Sequence, residues 1–264
     1  MTANTAHAQT SSIARNNYAR SNRVLAGLIV LASLLAALAS YLPQGDAVDM
    51  TGYTMPAPQY VLAIVNGLTV LLIYGALGAL GLFLSRKLGL PDICDPAVTN
   101  RQRFFIPALA GAAVGIAFII LDLAFAPVNG VGKLIHPPFP TSLVASLLAG
   151  INEELLFRLF FVSFWTWIIT RLVLRGRRQV IVYWVVAFIS ALAFSASHLP
   201  ALMVITGASS LAEISPIVIV EGLLLNGGLS LVAAYFFKRS GYLAAAGVHF
   251  WADIVWHVIW GLFV

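Results

Sequence analysis

Three short polar runs interrupt long apolar stretches of this 264-residue chain, and each has a spacing that could do chemistry. The first is Glu153-Glu154-Leu155-Leu156-Phe157-Arg158. Glu154 and Arg158 lie one helical turn apart, share a face and can pair. Glu153 points about 100° away around the helix and is left without a partner. An unpaired carboxylate can take a proton from water, as a general base must. An ion pair that only fixes helix packing has the same spacing. The second run is Phe194-Ser195-Ala196-Ser197-His198, followed by Leu199-Pro200. The proline predicts that the helix stops there. His198 could be a base, a proton donor or a metal ligand, or a cap for the last carbonyls of its helix. The third run places His249, Asp253 and His257 on one stripe at helical spacing. Asp253 can hold only one of the two imidazoles well. A carboxylate-oriented histidine occurs in catalysis and around metals, and a polar seam between helices gives the same pattern.

The elements that must position these residues are membrane helices. The chain is 60% apolar and 9% charged, with a mean hydropathy of +0.93, against about 25% charged in soluble domains. That composition excludes a disordered chain and a soluble globular domain. One cysteine, Cys94, excludes an intrachain disulfide framework. Seven apolar segments are long enough to span a bilayer, at 24–42, 60–84, 104–125, 141–169, 180–197, 216–237 and 241–264. The fold class is therefore all-α, a polytopic transmembrane helix bundle of seven spans, with no second domain. Residues 1–23 read as a mobile polar tail, and 24–264 as the transmembrane domain.

The net charge of +5 is not a nucleic-acid signal, because thirteen of the fifteen basic residues fall in alternate connections on one side. The positive-inside rule then puts the N-terminus in the cytoplasm. A competing reading of the first span as a signal peptide, on Arg20–Arg23 and Ala37-Leu38-Ala39, leaves the other six in the same alternation.

A charge at the bilayer centre costs about 2.5–3.5 kcal/mol on insertion scales. This chain carries Asp122, Glu153, Glu154, Arg158, Glu221 and Asp253 within spans, with His249 and His257 in the last and His198 at the end of the fifth. Asp122 and Glu221 lie near the outer ends of their helices and read as structural. At about 1.5 Å per residue, Glu153 and His249 reach one level, while His198 falls outward of both.

All three runs, in this order on three spans, resemble the CPBP intramembrane protease family (CAAX proteases and bacteriocin-processing enzymes, also called Abi). Its motifs read here Glu153-Glu154-x-x-x-Arg158, Phe194-x-x-x-His198 and His249-x-x-x-Asp253, over a family-like core of 141–257. Two positions depart. Leu159 stands where many members carry glycine, and Asp253 where prenyl-protein proteases often carry asparagine. The resemblance implies peptide-bond hydrolysis in or near the bilayer. It implies Glu153 as the residue that activates water, with Glu154 and Arg158 as its supporting pair. His198 and His249 would hold or polarise the water and the scissile carbonyl, and Asp253 would orient His249 or contact the oxyanion.

The cofactor stays open between one divalent metal such as zinc and none. The candidate ligands would be Glu153, His198, His249 and Asp253. Expected partners are the lipid bilayer and a membrane-associated or prenylated peptide or protein substrate, with no nucleic acid. Two other functions fit the same residues. One is a non-catalytic partner or assembly factor bound stably to another membrane protein. The other is a small transporter, which the lack of repeat symmetry disfavours. A bacterial inner membrane is the expected location.

Overall fold

The computed structural model describes residues 2–45 and 57–264. Those residues form helices and connections, with no strand among them. Helix α1 is Thr2–Ala39, so helix takes in the polar segment from Thr2 onward, and Asn16–Ala39 is its apolar part. Then follow α2 (Gln59–Lys87), α3 (Arg101–Phe125) and α4 (Thr141–Val173). The fifth apolar segment, Gln179–Thr206, consists of α5 (Gln179–Ser197) and α6 (Leu199–Thr206). The last two helices are α7 (Pro216–Ser240) and α8 (Tyr242–Leu262). Seven helical segments are thus long and apolar enough to cross a membrane, and the protein is an integral membrane protein.

Helix α5 does stop at His198, as expected, but the apolar segment goes on, because a second helix opens at Leu199 and runs to Thr206. Proline lies in the first turn of α6, where its missing N–H would have had no helical partner anyway. His198 therefore sits at a junction inside the span, not at its outer end, and the apparent mismatch of depth disappears.

Helix α8 packs against α3, α7 and the first half of α4. Lipid offers helices no hydrophobic drive to associate, so close packing of small residues has to supply it. Gly111 and Gly115 of α3 lie directly on the carbonyls of Val248 and Ala252, and a Cβ at Gly115 would stand 2.6 Å from the Ala252 oxygen. Gly150 of α4 faces Ala246 and Phe250 from the other side. Phe118, Leu229, Val248, Ala252 and Trp256 fill this half of the core. Leu155, Leu159 and Val162 of α4 fill the other half with Tyr183, Val186 and Phe237. Leu159 is buried, and Gly81 of α2 lies against its backbone. The bulkier residue is therefore part of the packed core. Val180, Ile181, Val185, Phe188, Ile189 and Leu192 of α5 stay exposed, as a lipid-facing surface requires.

The connection 126–140 is irregular and closes over the bundle. Three polar ties hold it, the first two of them buried. Leu134 N donates to Asp122 Oδ1 at 2.9 Å, Asn129 Nδ2 donates to Glu221 Oε2 at 2.9 Å, and His136 meets His257 at 3.0 Å between Nδ1 atoms. Asp122 and Glu221 are fully buried. Each ties the connection 126–140 to its own helix.

Candidate active site

Glu154 sits between two partners at the centre of the bundle. Its Oε1 accepts a hydrogen bond from His249 Nδ1 at 2.8 Å, and its Oε2 lies 3.0 Å from Arg158 Nε. Both Glu154 and Arg158 are fully buried. The Arg158 N–H groups are not aligned with the carboxylate oxygen, so this is a contact of charges more than a directed hydrogen bond. The guanidinium also lies over the Phe194 ring, 4.7 Å from its centroid, a further stabilisation for a desolvated cation.

Phe194 serves three groups at once. Its ring covers Arg158 and stands edge-on to His249, with centroids 5.7 Å apart. Its carbonyl takes the Nδ1–H of His198 at 2.8 Å. That bond fixes the neutral tautomer of His198, because a ring nitrogen this close to a carbonyl must donate. Glu154 fixes His249 in the same way. Both imidazoles therefore turn Nε2 toward Glu153.

Glu153 is the group they surround. Its Oε2 lies 3.7 Å from His249 Nε2 and 3.9 Å from His198 Nε2, just beyond hydrogen-bond reach, and is buried without a hydrogen-bond partner. Asp253 Oδ2 stands 3.5 Å from His249 Nε2. So Glu154, not Asp253, makes the short contact to His249, and Asp253 approaches the opposite nitrogen. All six residues singled out from the sequence meet here, while His257 does not join them. After Asp253 the backbone passes into a π-helical stretch, Ile254–Ile259. Its bonds close five residues on instead of four, which breaks the stripe and turns His257 to His136. A matching π-helical stretch, Leu155–Val162, follows Glu154.

Glu153, His198, His249 and Asp253 line one cavity of about 260 Å³. Its remaining wall is mainly apolar, with Phe118, Leu202, Leu225 and Leu229 from the helices and Leu134 and Ile135 from the connection above. Asn226 and His257 also face it. Nothing in the local residue pattern marks His136, whose partner lies 121 positions away. Asn226 did carry one, as an amide inside the apolar run Leu223-Leu224-Leu225.

Two imidazoles and carboxylates are zinc-binding chemistry. Zinc–nitrogen bonds of about 2.0–2.1 Å would put neighbouring tetrahedral ligands about 3.3 Å apart. Glu153 stands farther than that from both imidazole nitrogens. Among the described residues no three His, Cys, Asp or Glu side chains close into a metal-holding group. As placed, the donors do not fit a zinc ion.

A glutamate–imidazole cluster inside a helical membrane bundle thus opens on a mainly apolar cavity. Residues 135–255 match the family model described as type II CAAX prenyl endopeptidase Rce1-like, a model of the CPBP family. No curated protein and no solved structure matches the chain. The matched segment holds all six site residues and excludes α1 to α3.

Proposed function

We propose that the protein is an intramembrane endopeptidase that hydrolyses a peptide bond with water activated by Glu153. The family match supports a protease. The observation that carries the residue assignment is the Glu153 Oε2 atom, buried, without a hydrogen-bond partner and faced by two imidazole nitrogens. A water between those three groups has an acceptor for its proton and two neighbours to hold it. Glu153 takes one proton. The oxygen then attacks the carbonyl carbon, the C–N bond breaks, and the proton passes from Glu153 to the leaving amine. Glu154 keeps His249 in the tautomer this requires, Arg158 balances the charge of Glu154, and Asp253 limits how His249 can tilt. The apolar wall suits a membrane-associated peptide, prenylated or not. The basic connections support a cytoplasmic N-terminus, and a bacterial inner membrane is the setting we propose.

The test is to purify the wild type and Glu153→Gln in mild detergent and to identify co-purifying species by mass spectrometry. A peptide or protein retained intact only by the variant is the expected result, and it names the substrate. The same stoichiometric partner with both forms would overturn the proposal in favour of a binding protein.

A further inference from the structure

Asn226 lies on α7 within Leu223-Leu224-Leu225-Asn226, where a polar side chain is costly unless it has work to do. Packing occupies half of its amide. Nδ2 donates one N–H to the Gly222 carbonyl at 2.9 Å, which also identifies the nitrogen end. Asn226 makes no other side-chain hydrogen bond among the described residues. It lines the cavity that contains Glu153, His198, His249 and Asp253, and no other lining residue has an amide side chain.

That cavity is crowded with acceptors. Glu153 and Asp253 are carboxylic groups. The Nδ1–H groups of His198 and His249 are already taken by the Phe194 carbonyl and Glu154, so in the singly protonated form that lets Nε2 hold a water proton, each ring offers only the lone pair of that nitrogen. These groups can hold and deprotonate water, but they offer no N–H to the oxygen that turns negative when a peptide carbonyl is attacked. Hydrolysis needs donors aimed at that oxygen. We infer that Asn226 provides one, its second Nδ2–H hydrogen-bonding the scissile carbonyl oxygen as charge develops, so that Asn226 is a further catalytic residue of this site. No bond to Asn226 forms or breaks. The carbonyl π pair moves onto the oxygen during attack and returns as the C–N bond breaks. The inference rests on the hydrolase reading above.

The test uses the full-length protein in detergent micelles with an internally quenched prenylated peptide of the CAAX type. Wild type, Glu153→Gln, Asn226→Asp, Asn226→Leu and Asn226→His are compared. Asn226→Asp keeps the shape and removes the donor, so it covers the case in which Asn226→Leu does not fold. The expected result is a loss of about 10²–10³-fold in kcat for both, the range for one lost oxyanion donor. KM and Tm should stay near wild type, with partial recovery in Asn226→His. A purely structural role would lower Tm and would not separate kcat from KM. Activity lost in Glu153→Gln but kept in Asn226→Asp overturns this inference alone. No cleavage by wild type, or equal cleavage by Glu153→Gln, overturns the hydrolase reading and this inference with it.

Discussion

Glu154 on α4 holds His249 on α8 at 2.8 Å, across 95 positions of sequence and with both side chains almost completely buried. This bond fixes how the third polar run stands relative to the first, because it sets the ring that faces Glu153. It also makes Glu154 answer to two partners, His249 and Arg158.

Glu154→Gln should therefore cost both stability and turnover. It leaves Arg158 as an uncompensated buried charge, which costs about 3–5 kcal/mol when one member of a buried pair is removed. Thermal unfolding in detergent checks this. The double variant Glu154→Leu/Arg158→Met should regain most of the lost stability, since replacing a whole buried pair by apolar groups is often neutral. It should remain inactive, because His249 has lost its acceptor.

His198→Ala should separate chemistry from folding. Its side chain is about one-third exposed, and α5 and α6 meet at its backbone without needing the ring. We expect cleavage to fall by about 10²–10⁴-fold, the range for a positioned proton-transfer group. Thermal stability should stay near wild type. A loss of stability equal to that of Glu154→Gln would show that the ring holds the junction together.

Much of this site was readable from residue types and spacing, and the reason is the helix. Partners four apart on one helix, such as Glu154 and Arg158, follow from periodicity. Partners on different helices do not. The i, i+4 rule therefore chose Asp253 for His249, while the shorter contact comes from Glu154 on another span. The π-helical stretch after Asp253 was equally invisible, since nothing in Ile254-Val255-Trp256-His257 marks a change of hydrogen-bond register. Pro200 marked the end of α5 but not the opening of α6, because a proline that ends one helix and a proline that opens the next look alike in sequence.

His136 predicts a pH dependence of stability. It lies in the connection 126–140, and burial holds its pKa down from 6.5 to about 4. As pH falls, the unfolded chain takes up this proton first, near its ordinary value. Stability is therefore fully present above about pH 6.5 and declines toward pH 4. Thermal unfolding over that range, in wild type and His136→Phe, measures the effect. The variant should show a flatter profile below pH 6.5, and an unchanged slope would assign the acid sensitivity to other groups.

Gly115→Leu should move α8 away from α3. Its Cβ would stand 2.6 Å from the Ala252 oxygen and 2.7 Å from Val255 Cβ. We expect a loss of about 1–3 kcal/mol from overpacking. Cleavage should fall more steeply, because Asp253 lies between those two contacts. Gly228→Ala, at a position with nothing within 4 Å, should leave stability and cleavage unchanged. Equal behaviour of the two variants would show that the seam is unimportant.

The glycine seam also decides how much of this chain is needed to build the site. The segment that carries the family motifs begins after α3, yet α3 lies on the backbone of α8 on both sides of His249 and Asp253. The family segment is therefore not a portable module. Grafted onto another membrane scaffold, or expressed from residue 135 onward, it would carry every motif and lack the surface that sets their register. A transplant that includes the Gly111–Gly115 face of α3 would be the smallest unit with a basis for activity.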